Sequence, residues 1–138
     1  MRVNSVPIRL APAPNPYLPS AGLVQATNGT FYGTTNDGGS PCSRNGGCGT
    51  VFSLSVGLGP FVKTLPTAGE VGQAVKILGT DLTGATSVTF DGIAAAFTVN
   101  ASGTAILTTV PAGARSGTVE VVTPGGTLSS NVPFRVLP

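Results

Sequence analysis

The sequence predicts an all-β protein, with a β-sandwich in its second half and a small β-meander before it. Three observations carry that expectation. Charged residues make up only 9% of the 138 positions, against roughly 25% in ordinary soluble domains. Their place is taken by Thr, Ser and Val and by 20 Gly and 12 Pro, residues that suit pleated strands and tight turns. No window sustains the i, i+3, i+4, i+7 apolar stripe of an amphipathic helix. The nearest candidate, Ile93-Ala-Ala-Ala-Phe97, follows Gly92 and runs into the β-branched pair Thr98-Val99, so it reads as strand.

Three segments differ in composition. Residues 1–20 hold Pro7, Pro12, Pro14, Pro16 and Pro19 and should be extended, because each proline also restricts the residue before it. This segment is expected to dock on its own chain or on a neighbouring copy, for instance by adding a strand to a sheet edge. Residues 21–56 read as the meander. Strands at 22–26 and 30–35 flank Asn28-Gly29, read as a two-residue type I′ turn with both residues at positive φ. A turn-rich loop over 36–49 leads to a third strand at 50–54. Three short strands bury too little apolar area to stand alone.

Residues 61–138 alternate more cleanly. Strands are expected at 61–65, 73–78, 87–90, 94–99, 105–110, 118–122 and 132–137. Lys76 and Glu120 fix the outward parity of their strands, which turns Val75, Ile77, Val119 and Val121 inward. Val88 and Phe90 face inward by the same rule. Asp91-Gly92 is a second hairpin signal, and 66–70, 79–84, 111–117 and 123–126 read as turns. About seven strands with turns every 8–12 residues is the pattern of a sandwich.

Composition excludes several functions. The net charge is +2 and the seven basic residues are scattered, so no basic face exists to neutralise nucleic-acid phosphates. No apolar run reaches the length that spans a bilayer. The N-terminus has no continuous apolar core of a signal peptide, since Arg9 interrupts it; an exported protein would then be represented here by its mature form or a fragment. The chain has no His, which removes the commonest general base and any Ser-His-Asp or Cys-His machinery. The acids are Asp37, Glu70, Asp81, Asp91 and Glu120; Asp81 and Asp91 read as turn formers and Glu120 as a solvent-facing charge. Asn36-Asp37-Gly38-Gly39 lacks the ligand spacing of a calcium loop. No catalytic residue, cofactor or metal site is expected, and the chain is not expected to be an enzyme.

Cys42 and Cys48 enclose five residues. That spacing suits neither a redox motif nor, without further ligands, a metal site. A local disulfide or two free thiols remain, and the disulfide suits an extracellular all-β chain. Closing so short a loop should stabilise near the low end of roughly 2–4 kcal/mol. Tyr17 and Tyr32 are the candidate ligand-contact aromatics, since a tyrosine ring can stack on a sugar. Phe31 and Phe52 read instead as the small core of the meander.

Two resemblances follow from these motifs. Leu23-Val-Gln25, Asn28-Gly-Thr-Phe-Tyr-Gly-Thr-Thr35 and Gly49-Thr-Val-Phe52 resemble one copy of the bacterial "GTVF" repeat, which implies a propeller-like blade over residues 20–56. Only one copy is present, and a closed propeller needs about four to eight. The second is carried by Gly72, Val75-x-Ile77-x-Gly79-Thr-Asp-Leu82, Val88-x-Phe90-x-Gly92, Val110-Pro111-x-Gly113, Gly117-x-Val119-x-Val121 and Pro124-Gly-Gly126. This order resembles the IPT/TIG family and implies an immunoglobulin-like sandwich over 61–138, in a setting of surface receptors, adhesins and starch-acting enzymes. The resulting expectation is a non-catalytic structural or interaction module of a bacterial surface or secreted protein. It would be extracellular, partnered by copies of itself or neighbouring domains, and self-assembling through its N-terminal segment. The alternative is a glycan-binding accessory domain that contacts polysaccharide. Neither reading involves nucleic acid or a membrane span.

Overall fold

A computed structural model describes residues 22–36 and 49–138. It contains thirteen short strands and no helix among the described residues. By its internal contacts the chain divides into two compact units. One includes the described residues 22–23, 32–36 and 49–52; the other comprises Val24–Phe31 and Ser53–Pro138.

The first three strands are β1 (Val24–Gln25), β2 (Phe31–Thr34) and β3 (Val51–Leu54), ordered β1-β2-β3 in one sheet. The Asn28-Gly29 signal correctly marks a hairpin, but not a type I′ turn. Gly29 has φ 86°, and Asn28 is not among the residues with positive φ. The amide of Gly29 bonds the Ala26 carbonyl at 3.0 Å and that of Ala26 bonds the Thr30 carbonyl at 2.9 Å. This is a three-residue loop closed by a left-handed glycine, so only one positive φ is needed. Gly33 lies beneath Leu23 and the Phe52 ring, 2.7 and 2.5 Å from where its Cβ would stand. Phe31 and Phe52 are half-buried and Tyr32 is exposed.

The second unit holds the sandwich. Its first sheet is ordered β4 (Lys63–Leu65), β6 (Ala74–Leu78), β10 (Ala105–Thr109), β9 (Phe97–Val99). Its second is ordered β12 (Gly126–Ser129), β11 (Val119–Thr123), β7 (Ser87–Phe90), β8 (Ile93–Ala94). Each pairing within these sheets is antiparallel. A parallel pair, β5 (Ala68–Gly69) with β13 (Arg135–Val136), closes one margin.

Alternation places the core where the charges require it. Val75, Ile77, Val88, Phe90, Val119 and Val121 are at most 1% exposed, on the inward parity that Lys76 and Glu120 imply for β6 and β11 and that alternation implies for β7. Registers Ile77↔Ile106, Val88↔Val121 and Phe90↔Val119 stack them into rows. Leu82, Val62, Val110, Leu128 and Phe134 complete the cluster. The rings of Phe90 and Phe134 meet edge to face, with centroids 5.2 Å apart and planes at 88°, the arrangement that aromatic quadrupoles favour.

Three strand expectations need correction. The run 94–99 is not one strand: β8 pairs with β7 in the second sheet and β9 with β10 in the first. Ala95 and Ala96 make the crossing. The Ala95 amide bonds the Val88 carbonyl at 2.9 Å, and the Ala96 carbonyl accepts from Thr108 Oγ1 at 2.7 Å. Small side chains let the backbone pass between layers there. The turns at 66–70 and 123–126 also conceal strand residues. β5 owes its existence to pairing with β13, 67 positions away, and β12 begins directly at Gly126. The last strand shrinks to β13, because Val132 and Pro133 fall outside any strand.

Candidate functional site

At one end of the sandwich, within the second unit, a cleft of about 480 Å³ is lined by Asn28, Pro60, Thr80, Asp81, Thr83, Thr123, Pro124, Gly125 and Leu128. Its size falls in the range of small-molecule sites. The sequence Gly79-Thr-Asp-Leu82 builds its main wall. Leu82 is fully buried and anchors the corner between β6 and β7. Its amide bonds the Gly103 carbonyl at 2.8 Å, and its carbonyl accepts from Ala85 at 3.1 Å. A Cβ at Gly79 would stand 2.8 Å from the Leu82 side chain, so glycine is what lets leucine enter the core. Asp81 adopts φ 56°, a left-handed conformation that Asp tolerates better than most residues. Asp81 and Thr83, on either side of the buried Leu82, are both exposed.

The facing wall comes from the β11–β12 turn. Thr123 Oγ1 donates to the Gly126 carbonyl at 3.0 Å and fixes that turn, while the Thr86 amide bonds the Val122 carbonyl at 2.9 Å. The floor is joined to the 27–30 turn. Thr27 Oγ1 and Thr80 Oγ1 share a hydrogen bond of 2.7 Å, and the Phe61 amide bonds the Thr27 carbonyl at 2.9 Å. Asn28 Oδ1 accepts from the Thr30 amide at 2.9 Å, leaving its Nδ2 to donate elsewhere. The lining thus combines one carboxylate, one carboxamide and three threonines with two proline rings and a leucine. It carries no cation and no aromatic ring. Such a surface can bond hydroxyl groups and pack against C–H faces; a single carboxylate does not make an acid–base pair.

The residues singled out from sequence lie elsewhere. Tyr32 is 39% exposed on β2, in the other unit. Tyr17, Cys42, Cys48 and Asp37 lie outside the described residues, and so does the Pro-rich segment 1–20. Asp81 and Asp91 occupy turns with φ 56° and 48°, and Glu120 is solvent-exposed on β11, as expected for turn formers and a surface charge. The cleft residues were visible only as parts of turns. Nothing in a linear sequence shows that the 79–86 corner and the 123–126 turn meet. Among the described residues, no helix is long and apolar enough to cross a membrane.

No curated protein matches the chain. Among solved structures, it is similar to an auxiliary nutrient binding protein from Bacteroides ovatus, with 27% identity over 54% of this chain and 20% of that one, at a TM-score of 0.46. It is also similar to SGBP-B from a complex xyloglucan utilization locus in Bacteroides uniformis, with 15% identity over 83% of this chain and 48% of that one, at a TM-score of 0.47. A third is the gamma-CGTase from alkalophilic Bacillus clarkii, with 18% identity over 81% of this chain and 23% of that one, at a TM-score of 0.49. The chain therefore spans between a fifth and about half of the length of these proteins. The IPT/TIG domain model matches residues 60–136, the segment that forms the sandwich and carries the glycine and valine pattern, and the chain belongs to the IPT/TIG family.

Proposed function

We propose that this chain is a non-catalytic accessory module of a larger exported protein, and that it contacts saccharide through the cleft at the end of its sandwich. The observation that carries this reading is the lining of that cleft: hydroxyl, amide and carboxylate groups interleaved with proline and leucine surface. A sugar ring offers the complementary alternation of hydroxyl groups and apolar C–H faces. The carboxylate of Asp81 with no cation beside it favours neutral sugars over acidic ones, because an anionic sugar would meet like charge. The resemblance of residues 20–56 to a propeller-type repeat supports a larger parent protein at the cell surface or outside the cell, and a low charge density suits that setting.

The test is binding of neutral oligosaccharides by calorimetry, with Asp81→Ala and Tyr32→Ala beside the unaltered chain. Measurable binding that Asp81→Ala weakens about tenfold, the order expected for one charge-assisted hydrogen bond, with Tyr32→Ala neutral, supports the cleft. Loss in Tyr32→Ala alone would move the contact to the three-stranded sheet, and no binding of any saccharide would remove the reading.

A further inference from the structure

The sandwich presents two broad outer faces, one from each sheet. Register places a row of outward side chains across the middle of the first sheet: Leu65 on β4, Lys76 on β6, Leu107 on β10 and Thr98 on β9. Leu65 and Leu107 are 43% and 58% exposed, so Lys76 stands between two solvated leucines in a shallow groove of about 620 Å³. The next row in one direction is Lys63, Leu78 and Ala105; in the other it is Ala74 and Thr109. This face carries two ammonium groups and no carboxylate.

The second sheet has the opposite character. Its middle row is Ser129 on β12, Glu120 on β11, Thr89 on β7 and Ala94 on β8. The adjacent row is Thr127, Val122 and Ser87, with Val122 39% exposed. Glu120 is the one ionisable group in these rows, on an inner strand as Lys76 is in the other sheet. Among the described residues, neither Lys76 nor Glu120 takes part in an ion pair.

We propose that these faces are the two halves of one contact between copies of this chain. The outer face of the first sheet of one copy stacks on the outer face of the second sheet of the next. Lys76 then pairs with Glu120, and Leu65 and Leu107 pack against Val122. Pairing like faces would set lysine against lysine or glutamate against glutamate, which charge disfavours. Because the two faces point in opposite directions, the contact does not close on itself and propagates as a row of copies. Four strands about 4.8 Å apart and three rows about 6.8 Å apart cover roughly 400 Å² per partner, well below the about 800 Å² of a stable interface. The contact is therefore weak between free molecules and effective where copies are held close together. It uses no residue of the cleft and does not depend on saccharide binding.

The test is sedimentation velocity of the full chain at millimolar concentration and low ionic strength. The unaltered chain is expected to associate reversibly, and added salt should weaken the association. Lys76→Glu and Glu120→Lys should each lower the association constant about tenfold, as like charges then face each other. An equimolar mixture of the two variants should recover it, since each supplies the charge the other lacks. Both positions are exposed, so unchanged melting temperatures will show that the variants are folded. A monomer at all concentrations, association unchanged in both variants, or a mixture that fails to recover would each overturn the proposal.

Discussion

Thr64 is 1% exposed in the sandwich, and its hydroxyl has no hydrogen-bond partner. Burying an unpaired hydroxyl costs about 1–3 kcal/mol. Valine has nearly the same shape without that group, so Thr64→Val should raise unfolding stability by about 1 kcal/mol; a lower denaturation midpoint would mean the hydroxyl finds a partner in solution. Two glycines separate backbone strain from crowding. Gly92 has φ 82° and open space where a Cβ would go, so Gly92→Ala should cost about 1 kcal/mol, the conformational penalty alone. At Gly29, also left-handed, a Cβ would collide with the carbonyls of Leu58 and Gly59. Gly29→Ala should therefore cost about 3 kcal/mol, strain plus overpacking. Chemical denaturation of the two variants side by side checks the difference.

At the level of elements, Asn100 shows how side chains complete what strands begin. Its Oδ1 accepts from the amides of Thr104 and Ala105 at 2.9 and 3.0 Å, and its Nδ2 donates to Ser102 Oγ and Thr104 Oγ1 at 2.8 and 3.1 Å. Together these bonds fold the connection between β9 and β10. Asn100→Ala should cost about 1–2 kcal/mol, limited by the exposure of the loop, with a shift in melting temperature as the readout. The strands whose register a charge pins were legible from sequence. Lys76 cannot turn inward, so Val75 and Ile77 must, and the same logic holds around Glu120. Elements defined by a distant partner were not legible. β5 is two residues long and exists through β13, and the crossing at Ala95–Ala96 reads locally as continuous strand. Asn28-Gly29 marked the hairpin but not its loop: the dipeptide reads as a two-residue type I′ turn, whereas only Gly29 is left-handed and the loop has three residues.

Across the whole molecule, the family pattern and the core coincide. Gly79 makes room for Leu82, and Leu82 holds the corner that exposes Asp81 and Thr83 to the cleft. The motif that stabilises the fold thus also positions the candidate site, which is why the site was readable as a turn and not as a binding surface. Its far wall, Thr123 to Gly125, comes from a hairpin more than forty positions later and becomes part of the site only on folding. Under the proposed function, saccharide meets the protein at this end of the sandwich. A titration of the isotopically labelled chain with a neutral oligosaccharide, followed by amide chemical shifts, tests that contact. Concentration-dependent shifts clustered at Thr80, Asp81, Thr83, Thr123 and Gly125 are predicted. Shifts confined to Tyr32 and its neighbours, or no shifts at millimolar sugar, would contradict it.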